Sequence, residues 1–141
     1  MKYSKLGNSE LEVSNICLGT WPIGGGMGAI EQKDAIDAIH ASIDNGINFL
    51  DTAQMYLDSE YILGKAIKGK RNKIILASKL SSWKNINDIE KALENSLKNL
   101  QTDVIDLYQI HSWQESIPME DTFSKLLELK EKGYFKYLGV S

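Results

Sequence analysis

One cysteine, Cys17, leaves no partner for an intrachain disulfide, so the sequence does not read as a disulfide-stapled secreted domain and fits a reducing compartment, the cytoplasm. Cys17 itself reads as a small buried hydrophobe, the usual setting of a free thiol. Proline is nearly as scarce, with Pro22 and Pro118 alone, and no linker-like composition divides the chain. One domain over residues 1–141, with 43% hydrophobic content to fill its core, is the default. An excess of positive charge is also missing. Against 19 Asp and Glu stand 16 Lys and Arg, and no long basic run is present, which counts against a phosphate-backbone footprint. No stretch approaches the roughly 18 uninterrupted apolar residues of a membrane span, and MKYSKLGNSELEV lacks the apolar centre of a signal peptide. Neither nucleic acid nor membrane is expected as a partner, and no metal-binding set is expected.

What is present is repetition. Five runs rich in apolar and β-branched residues read as strands: 16–20, 47–51, 74–79, 104–111 and 137–141. Their ends recur every 28–32 residues, and helical patterns fill the gaps. One helix is predicted over Gln32 to Asn45, with Ile36, Ile39 and Ile43 inward and Gly46 as its stop. A second runs from Ser59 to Gly69. A third, Asn87 to Leu100, carries Ile89, Leu93, Leu97 and Leu100 on one face, with Asn87 and Glu90 as a capping box. The fourth follows Pro118, uses Phe123, Leu126 and Leu127 as its stripe, and stops at Gly133. Repeated βα units imply an α/β fold with parallel strands, either curled into a TIM-type barrel or doubly wound. The repeat length matches one-eighth of a barrel of about 250 residues, so four units and a fifth strand make about the N-terminal half. A short hairpin flanking Gly7-Asn8-Ser9 precedes them, placed to cover the N-terminal mouth. The glycine-rich stretch Gly24 to Gly28 reads as a mobile βα loop, because the dinucleotide-binding glycine pattern fails at Ala29.

In a parallel barrel the chemistry gathers at the strand C-termini. INFLD, IILASK and VIDLYQIH place Asp51, Lys79 and His111 there. A charge closing a buried strand is costly unless countered, so Asp51 and Lys79 on neighbouring strands are expected to pair. Tyr56 falls in the loop after Asp51. A free phenol is a poor acid near neutrality, and an ammonium beside its oxygen favours the phenolate. His111 is then placed to hydrogen-bond a carbonyl, and the group suits proton delivery to an oxygen that becomes negative as a hydride arrives at its carbon. Taken singly, Asp51 also fits a helix cap, Lys79 a solvated rim lysine, His111 a core histidine and Tyr56 a loop aromatic. His40, in a helix, has no such company and reads as a surface or packing residue.

The blocks LGTW (18–21), NFLDTAQMY (48–56), SEYILGKAI (59–67), ILASK (75–79), DVIDLYQIHSW (103–113) and GYFKYLGVS (133–141) closely resemble, in order and spacing, those of the aldo-keto reductases. The resemblance implies a (β/α)8 barrel that uses NADPH to reduce a small-molecule aldehyde or ketone. It implies Tyr56 as general acid, Lys79 as the partner that strengthens it, Asp51 as the carboxylate pairing with the lysine and lying near the cofactor, and His111 as the residue orienting the carbonyl. Ser141 matches the serine that holds the nicotinamide carboxamide. Gly19, Thr20 and Trp21 match the first βα loop along the cofactor, with Trp21 and His111 as substrate-pocket positions, and Trp83 and Trp113 either as pocket wall or as simple packing. Three departures stand out. Leu57 follows Tyr56 where relatives commonly have glycine; Ser112 separates His111 from Trp113; and the asparagine that usually follows Ser141, with strands six to eight, is absent. Two other functions use the same residues: a non-catalytic NADPH-sensing protein, and a Schiff-base lyase with Lys79 as nucleophile. The edges of the first and fifth barrel strands in half a barrel also point to self-association.

Overall fold

A computed structural model describes residues 1–141. Two short strands, β1 (Tyr3–Lys5) and β2 (Glu12–Ser14), pair antiparallel as the expected hairpin. Five parallel strands follow in sequence order: β3 (Cys17–Gly19), β4 (Phe49–Asp51), β5 (Ile75–Leu80), β6 (Ile105–Ile110) and β7 (Phe135–Val140). The crossovers are α1 (Gln32–Asp44), α2 (Ser59–Ala66), α3 (Ile86–Leu100) and α4 (Met119–Glu131). A doubly wound sheet reverses its strand order at a switch point. This sheet never reverses, so the architecture is the N-terminal half of a (β/α) barrel, with each helix packed against the next.

The outward sheet face and the helices enclose the core. Leu50, Leu76, Leu80 and Tyr108 from strands meet Ile39, Leu63, Ile89, Leu93 and Leu126 from helices, all fully buried. Helix limits follow local chemistry, with some differences from the sequence pattern. α1 ends before Gly46, whose φ of +89° needs glycine. α3 begins one residue earlier than predicted, and its capping box is Asn85 with Asp88, not Asn87 with Glu90. The Asn85 side chain accepts from Asn87 N at 3.0 Å while Asp88 accepts from Asn85 N at 3.1 Å, and the earlier start adds Ile86 to the apolar stripe. In α4 the buried stripe is Thr122, Leu126 and Leu129; Leu127 is exposed, one-quarter turn off that face.

The hairpin does lie across the strand N-termini. Asn48, just before β4, accepts from Ser14 N at 2.6 Å and donates to Glu12 O at 2.9 Å, and Glu10 N donates to the Tyr137 hydroxyl of β7 at 3.1 Å. Asp106 secures the same end of the sheet, accepting from Arg71 Nη2 at 2.7 Å, Lys136 Nζ at 2.7 Å and Leu76 N at 2.9 Å. Cys17 is exposed instead of buried, on the same sheet face as Gly19. The chain around it still shields its thiol, which with Asp51 alongside is pushed up to about 11. No helix is long and apolar enough to cross a membrane.

Candidate active site

Asp51 ends β4, Lys79 lies one residue before the end of β5, and His111 follows β6, so the parallel register brings all three to the C-terminal end of the sheet. Lys79 is 5% exposed and donates three hydrogen bonds: to Asp51 Oδ2 at 2.6 Å, to Thr52 O at 2.9 Å and to the Tyr56 hydroxyl at 3.4 Å. A buried ammonium with every proton engaged escapes most of the desolvation cost that isolation would impose. Tyr56 meets the His111 ring edge-on, with centroids 5.5 Å apart and planes at 80°, and lies 6.5 Å from the Trp21 ring. Trp21, Met55, Tyr56 and His111 line a cleft of about 280 Å³. A larger cleft of about 510 Å³ lies at the other end, under the hairpin turn beside Leu107 and Tyr137, away from these groups.

Tyr56 is held by its backbone. Ser59 donates to Thr20 Oγ1 at 2.6 Å and sits 2.9 Å from Thr52 Oγ1, and Thr20 Oγ1 donates to Asp51 O at 2.9 Å, tying the ends of β3 and β4 to the start of α2. The glycine-rich loop is anchored in the same place, since a Cβ on Gly24 would stand 2.0 Å from Tyr56 O. Leu57 takes the left-handed conformation, φ +50°, which glycine adopts without the Cβ clash.

Among the other sequence-derived positions, Gly19 lies beside Asp51 with no heavy atom within 4 Å of a would-be Cβ, leaving an open floor. Thr20 is fully buried and its hydroxyl faces inward, so its side chain positions the loop. Ser141 extends the β7 ladder, its N–H donating to Ile110 O at 2.9 Å. Trp113 is 63% exposed and outside the cleft lining. Trp83, at 4% exposed, packs in the hydrophobic core and is not among the residues lining the cleft. His40 is a packing residue, its Nε2 2.8 Å from Ala66 O. Pattern reading missed Met55, which lines the cleft, and Ser81, whose Oγ is 3.0 Å from His111 Nδ1; neither residue type stands out without the fold. Burial and the Lys79 ammonium hold His111 below its ordinary value, with Asp51 opposing.

Residues 15–141 match the Aldo/keto reductase family. The chain belongs to that family. Aldo-keto reductase YhdN of Bacillus subtilis (strain 168) is 44% identical over 155 residues, covering 100% of this chain and 47% of the relative. The holo form of aldo-keto reductase AKR11C1 from Bacillus halodurans superposes with a TM-score of 0.90 at 35% identity, over 100% of this chain and 50% of that one. An aldo/keto reductase from Klebsiella pneumoniae, solved in complex with NADP and acetate, matches with a TM-score of 0.82 at 37% identity, over 92% of this chain and 46% of that one. The aldo/keto reductase chain described here thus spans about half the length of the relatives it matches.

Proposed function

We propose that this chain is the N-terminal portion of a nicotinamide-dependent carbonyl reductase, with Tyr56 as the acid that protonates the carbonyl oxygen of an aldehyde or ketone. The observation that carries the reading is the Lys79 ammonium held between Asp51 at 2.6 Å and the Tyr56 hydroxyl at 3.4 Å. A fixed positive charge beside the phenol stabilises the phenolate left behind when the proton departs. Asp51 and Thr52 O hold Lys79 in place and aimed.

The open floor at Gly19 beside Asp51, at the edge of the Lys79 and Tyr56 group, fits a flat nicotinamide ring. Support for NADPH as that cofactor comes from the Klebsiella pneumoniae relative, whose structure holds NADP. When bound, the cofactor supplies a hydride to the carbonyl carbon. Tyr56 gives its proton to the carbonyl oxygen, so an alcohol forms, and the phenolate is reprotonated from solvent. His111 donates a hydrogen bond to the same oxygen and orients it, while Trp21 and Met55 supply apolar surface to the cleft. Lys79 Nζ is held by Asp51, Thr52 O and the Tyr56 hydroxyl, an arrangement that does not present it to a carbonyl carbon and counts against Schiff-base chemistry.

The test supplies NADPH deuterated at both C4 positions of the dihydronicotinamide, with an aldehyde, to the 141 residues joined to the C-terminal half of the Bacillus subtilis relative. Deuterium on the product carbinol carbon is the expected result. An alcohol without label, or no reduction, contradicts the reading.

A further inference from the structure

His111 lines the cleft with its Nδ1 3.0 Å from Ser81 Oγ, and its Nε2 has no protein partner. Ser81 is 9% exposed and follows β5 directly. Its backbone N–H donates to Gln54 Oε1 at 3.3 Å, and His111 N donates to Leu80 O at 2.9 Å, so the two residues are fixed by adjacent strands. The Ser81 hydroxyl has one proton and two acceptors in reach, His111 Nδ1 at 3.0 Å and Lys79 O at 3.4 Å. The Nδ1 contact is the shorter of the two, 3.0 Å against 3.4 Å, and it is the one the hydroxyl proton serves if Nδ1 is the acceptor.

We propose that Ser81 is a positioning residue whose hydroxyl donates to His111 Nδ1, fixing the neutral tautomer with its proton on Nε2, facing the cleft. The tautomer of a histidine is set by the bond its other nitrogen makes. With Nδ1 occupied as an acceptor, the neutral ring can only donate from Nε2. The cleft then holds two donors for one carbonyl oxygen, the Tyr56 hydroxyl and His111 Nε2–H, and His111 orients the oxygen without supplying the transferred proton. That consequence rests on the carbonyl-reduction reading; the tautomer does not.

The test is a long-range nitrogen–proton correlation spectrum of the histidine rings in the 141-residue chain, without cofactor or substrate, at a pH where both are neutral. The sequence has only two histidines. His40 is the internal reference, because Ala66 O can only accept and so requires a proton on Nε2. The expected result is the same Nε2–H pattern for His111, loss of that single pattern to a mixture of both tautomers in Ser81→Ala, and its return in Ser81→Thr. An Nδ1–H pattern in the unmodified chain overturns the proposal even if Ser81→Ala does not fold, and so does an unchanged His111 pattern in a folded Ser81→Ala. Because the spectrum needs no turnover, a chain that fails to reduce aldehydes leaves this result standing on its own.

Discussion

Lys79 gives one proton each to Asp51, Thr52 and Tyr56, and this single side chain explains why a buried strand can end on a carboxylate. Each partner solves the other's problem: the carboxylate offsets the desolvated ammonium, and the ammonium fixes the carboxylate. The same charge acts on His111, which burial and Lys79 hold below its ordinary 6.5. The unfolded chain takes up that proton first as the pH falls, so the folded state loses stability as the pH drops from about 6.5 towards the lower folded value. A titration of the His111 ring resonances is expected to give a midpoint below 6.5, and a midpoint above it contradicts the electrostatic account. Asp51, Tyr56, Lys79 and His111 were all legible in the sequence because each closes or follows an apolar strand at a fixed interval. Ser81 and Met55 were not, since a serine or methionine acquires meaning only from the neighbour that folding gives it.

Elements were legible where periodicity is strong. The five parallel strands and four helices lie where alternating apolar patterns put them, whereas the start of α3 moved because two Asn-x-x-acid pairs overlap there and only Asn85 takes the extended conformation of a cap. Cys17, on β3, is exposed and Trp83, in the loop after β5, is buried, and the sequence pattern names neither because it does not say which surface the fold covers. The glycine-rich loop is tied to the site at Gly24, where a Cβ would press on Tyr56 O and on Ser59. Gly24→Ala is therefore expected to cost about 1–3 kcal/mol of stability by overpacking and to lower turnover more than cofactor affinity, which a comparison of kcat with the NADPH Kd checks. At the opposite end of the sheet, burial alone would raise Asp106, but Lys136, the Leu76 N–H and Arg71 outweigh it and hold the carboxyl below its usual 3.8. Its stabilisation is present above that value and is lost as the pH falls through the folded one. Denaturant titration of Asp106→Ala is expected to show a loss of about 3 kcal/mol at pH 7, shrinking in strong acid.

Over the whole molecule, β3 and β7 are the sheet edges, and Cys17 lies exposed on β3. Unpaired strand edges favour pairing with another chain. Light scattering of the isolated 141-residue polypeptide is expected to show concentration-dependent self-association; a monomer at every concentration contradicts this. The half-barrel architecture was legible because a 28–32-residue repeat has few structural solutions, and the unreversed strand order then decided between barrel and doubly wound sheet. The central claim is that Tyr56 supplies the proton in carbonyl reduction, and the most direct measurement is aldehyde-dependent NADPH oxidation by the 141 residues completed with the C-terminal half of the Bacillus subtilis relative, with and without Tyr56→Phe. The account predicts that the substitution lowers kcat by roughly 10²–10⁴-fold and leaves NADPH affinity unchanged. Equal rates for the two proteins would contradict it.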